Sequence, residues 1–431
     1  MGSRLLWRRA ATAAGLYTAV AFGILGTVVA ARSFTLLEFG LYATVMAATG
    51  FFQSLLDLTV EESLTKYGFR YATAEEWGKL RRLFRRALEL KLAGGVLAGL
   101  ALLALAPFAN ALFDADGLTG PLVAAAALPL VQAPENVATT ALLLRGRYDL
   151  RGLFQSLSMA LRLAAIAIGT RYGLTETIAG VVLAQVVATA AVAGVGTAAF
   201  RRFPRAEALP LGDDRGGIVS FVLRSSAATG LLSLRNALAP VLLGIAAGPT
   251  QVGLFRIAQA PQTGFSSASA PVRLILLTEH TRDWERGETG RVFAGVRRYT
   301  LVAGALGVAV VPAFWWAMPH LVDIVFGARY LPATDAARII LVAAAVQLAV
   351  GWTKSFPVSI GRPGLRLVTH GVETAVLLPL VVALGLAWGA TGAAVAILVS
   401  TLVFAASWAG IYLRISRGPG LVGPGPSPLA P

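Results

Sequence analysis

The sequence predicts an all-α polytopic membrane protein with about twelve transmembrane helices, arranged as two parallel six-helix repeats around a central cavity. The composition, a series of long apolar windows and a one-sided distribution of Lys and Arg support this prediction. Of the 431 residues, 56% are hydrophobic and 14% are charged, whereas a soluble domain has about 45–50% apolar and about 25% charged residues. We therefore expect lipid to be the main solvent of the chain.

Apolar windows of about 20 residues are long enough to cross a bilayer as helices. The first follows "MGSRLLWRRA" and exceeds the apolar core of a signal peptide, which has about 7–15 residues, so we expect an uncleaved first helix. The windows are 10–31, 36–60, 88–112, 121–144, 152–170, 177–200, 218–246, 250–278, 294–318, 333–353, 365–387 and 390–413.

The distribution of Lys and Arg predicts the orientation, because cytoplasmic loops of membrane proteins are enriched in both. Of the 37 basic residues, 28 lie in segments that share one side of the predicted topology or in the window ends next to them, and three lie in loops on the other side. Both termini are therefore predicted to be cytoplasmic. The net charge of +15 follows from these loops, so no nucleic-acid partner is expected. The other six are Arg162, Arg235, Arg256, Arg273 and Arg338, which lie in windows, and Lys354, which directly follows the window 333–353.

The longest inner segment contains "EEWGKLRRLFRRALELK", in which Trp77, Leu80, Leu83 and Phe84 follow helical spacing. One interpretation is a membrane-surface helix attracted to anionic headgroups. The other is a solvated basic loop.

The two halves of the chain resemble each other. "FGLYATVMAATGFFQS" from Phe39 is echoed by "VGLFRIAQAPQTGFSS" from Val252, and "YGLT" from Tyr172 by "WGAT" from Trp388. Six helices per half is an even number, so the repeats are predicted to be parallel. The predicted domains are an N-terminal lobe at 1–200, a cytoplasmic linker at 201–217, a C-terminal lobe at 218–413 and a disordered cytoplasmic tail at 414–431.

Three segments carry a family resemblance: "LLEFGLYATVMAATGFFQSLLDLTVEESLTKY", "VGLFRIAQAPQTGFSSASAPV" and "IVFGARYLPATDAARIILVAAAVQLAVG". They resemble bacterial polysaccharide flippases of the multidrug/oligosaccharidyl-lipid/polysaccharide exporter superfamily, and O-antigen flippases in particular. The resemblance implies two lobes in the inner membrane and alternating access for an undecaprenyl-pyrophosphate-linked oligosaccharide. It also implies membrane lipids and other polysaccharide-assembly proteins as partners.

Arginines inside the windows are the candidate binding residues, because a charge at the bilayer centre costs about 2.5–3.5 kcal/mol and faces a partner or a water-filled cavity. Arg235 lies beside Asn236 near the centre of helix 7, and Arg224 lies three turns earlier on nearly the same face. Arginine suits phosphate because its planar fork donates two hydrogen bonds. The alternative role is an internal ion pair.

Helix 8 carries a polar stripe that begins at Arg256 and ends at Arg273, with Gln259 and Gln262 between them. Pro261 lies within the stripe and is expected to bend or break the helix. Arg162 in helix 5 is a further candidate. For Arg224, Arg273, Arg338 and Lys354, the alternative is a side chain that snorkels to the interface.

Acidic side chains inside the windows are candidates for ion coupling or for pairing with the arginines, since a buried carboxyl group can titrate. Asp57 follows Gln53 by one turn, and Glu135 lies between Pro134 and Asn136. The other candidates are His370 and Glu373, one turn apart on helix 11.

No Walker A sequence, nucleophile motif or metal-spaced cluster occurs, and the three histidines are scattered. We therefore expect no enzyme activity, no cofactor and no metal. Two alternatives remain: a membrane-embedded glycosyltransferase or polysaccharide polymerase, and a multidrug antiporter of the same superfamily. An antiporter for organic cations would need an acidic cavity, but the windows hold ten basic residues against six acidic ones.

Overall fold

The computed structural model of the chain describes residues 2–56, 60–268, 276, 279–284, 286–362 and 364–417. This described part is built from helices joined by short turns, and no strand occurs in it. Three short 3₁₀ segments, Ala106–Phe108, Ala328–Ala333 and Gly351–Lys354, connect longer elements. The α-helices are α1 Gly2–Ser33, α2 Leu36–Leu56, α3 Val60–Thr73, α4 Trp77–Leu105, α5 Ala109–Leu112, α6 Thr119–Ala125, α7 Leu128–Leu144, α8 Tyr148–Gly169, α9 Leu174–Arg201, α10 Asp214–Ala247, α11 Pro249–Ala258, α12 Ala260–Ala268, α13 Thr289–Phe326, α14 Thr334–Ala349, α15 Phe356–Ser359 and α16 Gly364–Arg417.

Within the described residues, each of the twelve apolar windows coincides with a helix or with consecutive helices, so the all-α membrane fold class is confirmed. In the described residues, eight helical stretches are long and apolar enough to cross a membrane. They are Ala11–Ser33, Leu36–Leu56, Trp77–Leu112, Asp149–Gly169, Leu174–Arg201, Thr289–Phe326, Ala328–Ala349 and Gly364–Ser416.

Two helix breaks have a clear local cause. The helix α16 is interrupted at Gly389, where φ is 57° and ψ is −132°, a conformation that side-chain-bearing residues avoid. The break separates the two predicted windows 365–387 and 390–413. The junction between α11 and α12 falls at Gln259, two residues before Pro261, which has no backbone N–H to continue the helical ladder. The expected break in helix 8 is therefore confirmed.

The basic segment around residues 77–91 is helical, so the loop interpretation is wrong, and its attraction to anionic headgroups stays a prediction. It is the first half of α4, which continues without interruption to Leu105. Nothing between Trp77 and Leu105 stops a helix, because the segment contains no proline and consists mainly of strong helix formers. The apolar face at Leu80, Leu83 and Phe84 is buried, as its spacing indicated.

The chain divides into two compact units, Met1–Gly253 and Leu254–Pro431. We call them the N-terminal unit and the C-terminal unit. The N-terminal unit includes α10, which packs against α2 and α3. The lobes predicted at 1–200 and 218–413 were defined by the sequence repeats and not by compactness, and they remain a prediction.

Loops predicted to share a side of the membrane meet at the same end of the N-terminal unit. Leu209 N donates to Gly78 O at 3.2 Å, and the Arg145 guanidinium lies 4.1 Å from the centre of the Phe203 ring. We call this the basic end, formed by residues 73–77, 145–147 and 201–209. At the opposite end, Gly120 lies against Thr175. The helices of this unit therefore traverse it in alternating directions.

Each unit has its own aromatic core. At the basic end, a cluster containing Tyr71, Phe84 and Phe203 holds α3, α4 and the linker together. In the C-terminal unit, Trp352 and Trp408 meet edge to face, with ring centres 5.8 Å apart. These packed cores fix the helices that carry the candidate residues.

Candidate functional site

Arg235 lies in the second half of α10 and is 9% exposed. Its Nη2 donates to Oδ1 of the adjacent Asn236 at 3.3 Å, and the Asn236 side chain is exposed. A cation is therefore buried in the apolar part of this helix, where the sequence predicted it. The side chain of Arg224 lies outside the described residues, so the predicted shared face with Arg235 stays a prediction.

Arg162 is half-buried on α8, and its Nη2 lies 3.8 Å from Met46 Sδ on α2. Helix α2 also packs against α10, the helix that carries Arg235. Two of the predicted arginines are therefore positioned by helices that both contact α2.

Three glutamines form a continuous hydrogen-bonded chain through the N-terminal unit, which we call the glutamine chain. Gln53 Nε2 on α2 donates to Gln132 Oε1 on α7 at 2.7 Å, and Gln132 Nε2 donates to Gln185 Oε1 on α9 at 3.0 Å. Gln185 Nε2 then donates to Glu135 Oε2 at 2.8 Å and to Thr189 Oγ1 at 3.0 Å. The chain ties three helices together and ends on a carboxylate.

A polar cavity of about 200 Å³ opens beside this chain, between α2, α4, α7 and α8. Its volume has room for several water molecules, since each occupies about 30 Å³ in the liquid. The polar side chains that line it are Gln53, Lys91, Gln132, Glu135, Asn136, Gln155 and Ser158.

Lys91 is the basic member of this cavity. Its side chain is 2% exposed, and its Nζ lies 2.6 Å from Glu61 Oε1 on α3. A buried ammonium group is stable only when it is paired and hydrogen-bonded. Lys91 therefore lies at the wall of the cavity with its charge paired to Glu61 on α3.

The C-terminal unit contains a related hydrogen-bonded series. Gln262 Nε2 on α12 donates to Gln347 Oε1 on α14 at 3.0 Å, and Gln347 Nε2 donates to Thr401 Oγ1 on α16 at 3.1 Å. Gln259 is half-buried at the break before α12, and Arg256 is exposed at the end of α11. Of the predicted stripe, Gln262 therefore contacts a neighbouring helix.

His370 and Glu373 form a pair on α16, with Nδ1 3.0 Å from Oε2. The Glu373 carboxylate is 5% exposed, and the His370 ring stacks on Phe404 with ring centres 4.9 Å apart. The predicted one-turn relationship between the two side chains is confirmed. Both are held inside the C-terminal unit.

The remaining predicted residues divide into two groups. Arg338 donates to the Trp315 carbonyl at 3.1 Å and to Asp335 Oδ1 at 3.2 Å, which holds it near the end of its helix. Asp57 and Arg273 lie outside the described residues. In the part of the chain that the structure describes, no group of three or more His, Cys, Asp or Glu side chains could hold a metal ion.

Three residues of this site escaped prediction: Lys91, Gln132 and Gln185. Lys91 was counted with the basic inner segment, and the two glutamines looked like ordinary polar residues in apolar helices. For Gln132, one sequence feature pointed to the site: it lies three residues before Glu135, so both side chains share one helix face. Nothing in the local sequence around Gln185 indicates its partner.

The sequence model of one protein family, described as "Polysaccharide biosynthesis protein", matches residues 9–272. This match covers more than half of the chain. The chain belongs to this family. It also resembles the inner membrane protein YghQ of Escherichia coli strain K12, with 35% identity over 129 residues. That alignment covers 28% of this chain and 33% of YghQ, so the chain matches about a third of that relative's length.

Solved transporter structures share the fold over nearly the whole chain. The superposition on the lipid II flippase MurJ, in an inward closed conformation, has a TM-score of 0.72 at 10% sequence identity. It covers 95% of this chain and 90% of MurJ. An inward-facing MATE family multidrug resistance transporter of the MOP superfamily gives 0.66 at 15% identity, covering 96% of this chain and 98% of that one. The superposition on a MOP superfamily transporter from Pyrococcus furiosus has a TM-score of 0.59 at 14% sequence identity, and it covers 96% of this chain and 95% of that transporter. The chain is a multi-pass membrane protein with the fold of MOP transporters.

Proposed function

We propose that the protein is a flippase of the bacterial inner membrane that moves a polyprenyl-pyrophosphate-linked oligosaccharide by alternating access, for the synthesis of cell-surface polysaccharide such as O-antigen. Family membership and the transporter fold support a role in polysaccharide transport. The observation that carries the choice of cargo is the buried cation Arg235 in the apolar part of α10. An anionic headgroup is the cargo that such a cation can recognise.

In this proposal, Arg235 binds the pyrophosphate through its planar guanidinium fork, which donates two parallel hydrogen bonds. Asn236 lies next to it and is exposed, so its amide can bind a sugar hydroxyl or a phosphate oxygen. We also assign cargo binding to Arg162 and Arg224 in the N-terminal unit, and to Arg256, Gln259, Gln262 and Arg273 in the C-terminal half of the sequence. The polyprenyl tail stays in the lipid, which removes the cost of carrying it through a polar cavity.

The test is the rate at which the purified protein flips the lipid-linked oligosaccharide in vesicles, together with complementation of a strain that lacks its own flippase. We expect Arg235→Ala to lower the rate about tenfold or more, because a hydrogen bond to a charged group contributes about 1.5–3 kcal/mol. Arg235→Lys keeps the charge but loses the fork, so we expect an intermediate rate.

Arg338→Ala is the matched control, since this arginine also lies in an apolar window but is held by the Trp315 carbonyl and Asp335. We expect it to retain most of the activity. Equal rates for wild type and Arg235→Ala would remove Arg235 from the binding site. Efflux of organic cations without any flipping would favour the multidrug antiporter, and sugar transfer by the purified protein would favour the membrane glycosyltransferase or polymerase.

A further inference from the structure

We propose that Glu135 binds a proton and that the glutamine chain transmits its charge state to α2. The proposal starts from the direction of the hydrogen bonds. Along the chain every amide N–H points towards the carboxylate: Gln53 donates to Gln132, Gln132 to Gln185 and Gln185 to Glu135. An ionised carboxylate only accepts hydrogen bonds, so this direction matches the unprotonated form of Glu135.

Protonation of Glu135 reverses this order. The protonated carboxyl group keeps a carbonyl acceptor and gains an O–H donor. In the proposal this O–H points at Gln185, which turns its amide oxygen towards it. Its Nε2 now faces Gln132, which must turn in the same way because two N–H groups cannot hydrogen-bond each other. The last member to turn is Gln53, so a charge change on α7 alters the side chain that holds α2.

The net charge of the groups around the cavity is consistent with the binding of one proton. Lys91 on α4 and Glu61 on α3 neutralise each other at 2.6 Å. Among the described side chains that line the cavity, Lys91 and Glu135 are the two that carry charge. The groups that face Glu135 from α2, α8 and α9 are uncharged: Gln53, Gln155, Ser158, Gln185 and Thr189. The described charges therefore sum to one negative charge, which a single proton cancels.

The donor set favours a proton over a metal ion. Hard cations take several oxygen ligands, whereas Glu135 is met by an amide N–H of Gln185. The cavity beside Glu135 has room for water, which supplies and accepts the proton. An exchangeable proton needs a carboxylate with space for water beside it, and Glu135 lines such a cavity.

The C-terminal unit shows what the same arrangement looks like without a carboxylate. Gln132 and Gln347 are equivalent at an offset of 215, and Gln185 and Thr401 at an offset of 216. The C-terminal series ends on the Thr401 hydroxyl, and the position equivalent to Glu135 is Val350. The proton site therefore belongs to the N-terminal unit alone, and Gln347 provides a matched control for Gln132.

The inference rests on the proposed function in one respect: a transporter would use a proton site at Glu135 to couple transport to a proton gradient. Its test needs no cargo, so it can fail while the flipping assay succeeds, and the reverse. The chain contains no cysteine, which allows a single spin label at Leu55→Cys, a position 51% exposed and two residues from Gln53. The full-length protein in lipid nanodiscs is titrated with acid while label mobility and the carboxyl infrared band are recorded.

We expect the labelled protein to change mobility with pH and to show a titrating carboxyl band. Glu135→Gln should abolish both signals. Gln132→Leu should keep the carboxyl band but abolish the mobility change, because it cuts the glutamine chain without removing the carboxylate. Gln347→Leu should keep both signals.

Three results would overturn the proposal. They are a mobility change that persists in Glu135→Gln, a mobility change that follows sodium concentration at constant pH, and a Gln132→Leu variant that behaves like Gln347→Leu. If Glu135→Gln does not fold, Glu135→Asp replaces it. Its shorter carboxyl group should still titrate but should no longer reach Gln185, so an undiminished mobility change there also contradicts the proposal.

Discussion

At the scale of single residues, Asp214 anchors the start of α10 to the basic end of the N-terminal unit. It accepts a hydrogen bond from the Tyr71 hydroxyl at 3.0 Å, and Arg70 Nη1 lies 3.3 Å from it. The Tyr71 ring is fully buried. Burial and the neighbouring carboxylate raise the pKa of Tyr71 above its ordinary value of 10.0. The helix that carries Arg235 is therefore held by a phenol that resists ionisation.

This arrangement predicts an alkaline loss of stability. Because the pKa of Tyr71 is raised in the folded state, its contribution is fully present below pH 10 and is lost as the pH rises above that value. Tyr71→Phe should lower the free energy of unfolding by about 1 kcal/mol at neutral pH. The difference from wild type should shrink above pH 10. Unfolding temperatures measured in detergent between pH 7 and pH 11 check this.

Tyr67→Phe is the control, because Tyr67 lies one turn away on α3 with its ring centre 6.4 Å from that of Tyr71. It should leave the alkaline decline unchanged. A Tyr71→Phe variant that loses stability above pH 10 as steeply as wild type would contradict the role assigned to the Tyr71–Asp214 hydrogen bond.

Residue positions on a helix were easier to predict from sequence than residue partners. The pair His370 and Glu373 was predictable, because both lie one turn apart on the same helix. The pair Lys91 and Glu61 was not predictable. The sequence of a window end is the same whether its charged side chain reaches water or pairs with a carboxylate on another helix. The partners of Gln132 and Gln185 on other helices lie 50 to 79 residues away.

At the scale of helices, α1 and α8 form a close pair. A Cβ atom built on Gly15 would lie 2.6 Å from the backbone carbonyl carbon of Gly152, so the two backbones are in direct contact. Ser156 Oγ on α8 donates to Gly15 O at 2.6 Å. Small residues let membrane helices approach closely, and van der Waals packing then replaces the hydrophobic effect as the source of association. The outward face of α1 exposes Leu16 and Tyr17.

Gly15→Leu should therefore separate α1 from α8. Overpacking of this kind costs about 1–3 kcal/mol, and it should lower the unfolding temperature and speed proteolysis of the detached α1. Gly23→Leu on the same helix is the control, because nothing lies within 4 Å of a Cβ atom built at Gly23. Equal unfolding temperatures for the two variants would show that the close contact contributes nothing.

The apolar windows predicted which segments are helical. The helix ends depended on residues that interrupt the backbone hydrogen bonds of the helix. The breaks at Gly389 and before Pro261 follow from glycine and proline chemistry. The length of α4 did not follow from the windows, because its first half is basic and lies mostly before the window 88–112. Basic residues at helical spacing are compatible with a surface helix and with the extension of a spanning helix, and packing against Phe203 and its neighbours decides between them.

At the scale of the whole molecule, the internal repeat links sequence to structure. Short matching words predicted an offset of about 213 to 216. At the same offset, the structure places hydrogen bonds between equivalent helices, from Gln132 to Gln185 in one unit and from Gln347 to Thr401 in the other. The sequence could predict that the halves are related. It could not predict that one half ends its polar series on a carboxylate and the other on a hydroxyl.

The orientation of the chain is the last prediction at this scale. Of the 37 basic residues, 28 lie in the predicted inner segments or in the window ends next to them. Because cytoplasmic loops are enriched in Lys and Arg, we expect the basic end of the N-terminal unit to face the cytoplasm. Single cysteines at two exposed positions test this in the naturally cysteine-free chain. Asp116→Cys should react with an impermeant maleimide in intact spheroplasts, and Arg202→Cys only after permeabilisation.

Leu25→Cys, on the exposed apolar face of α1, is the control and should react under neither condition, because lipid covers it. The two loop positions lie at opposite ends of the N-terminal unit, so they must differ in accessibility whichever way the chain inserts. Reversed labelling would therefore contradict the predicted orientation alone. Equal labelling of both positions would contradict the alternating passage of the helices through the membrane, and with it the fold that places Arg235 at membrane depth.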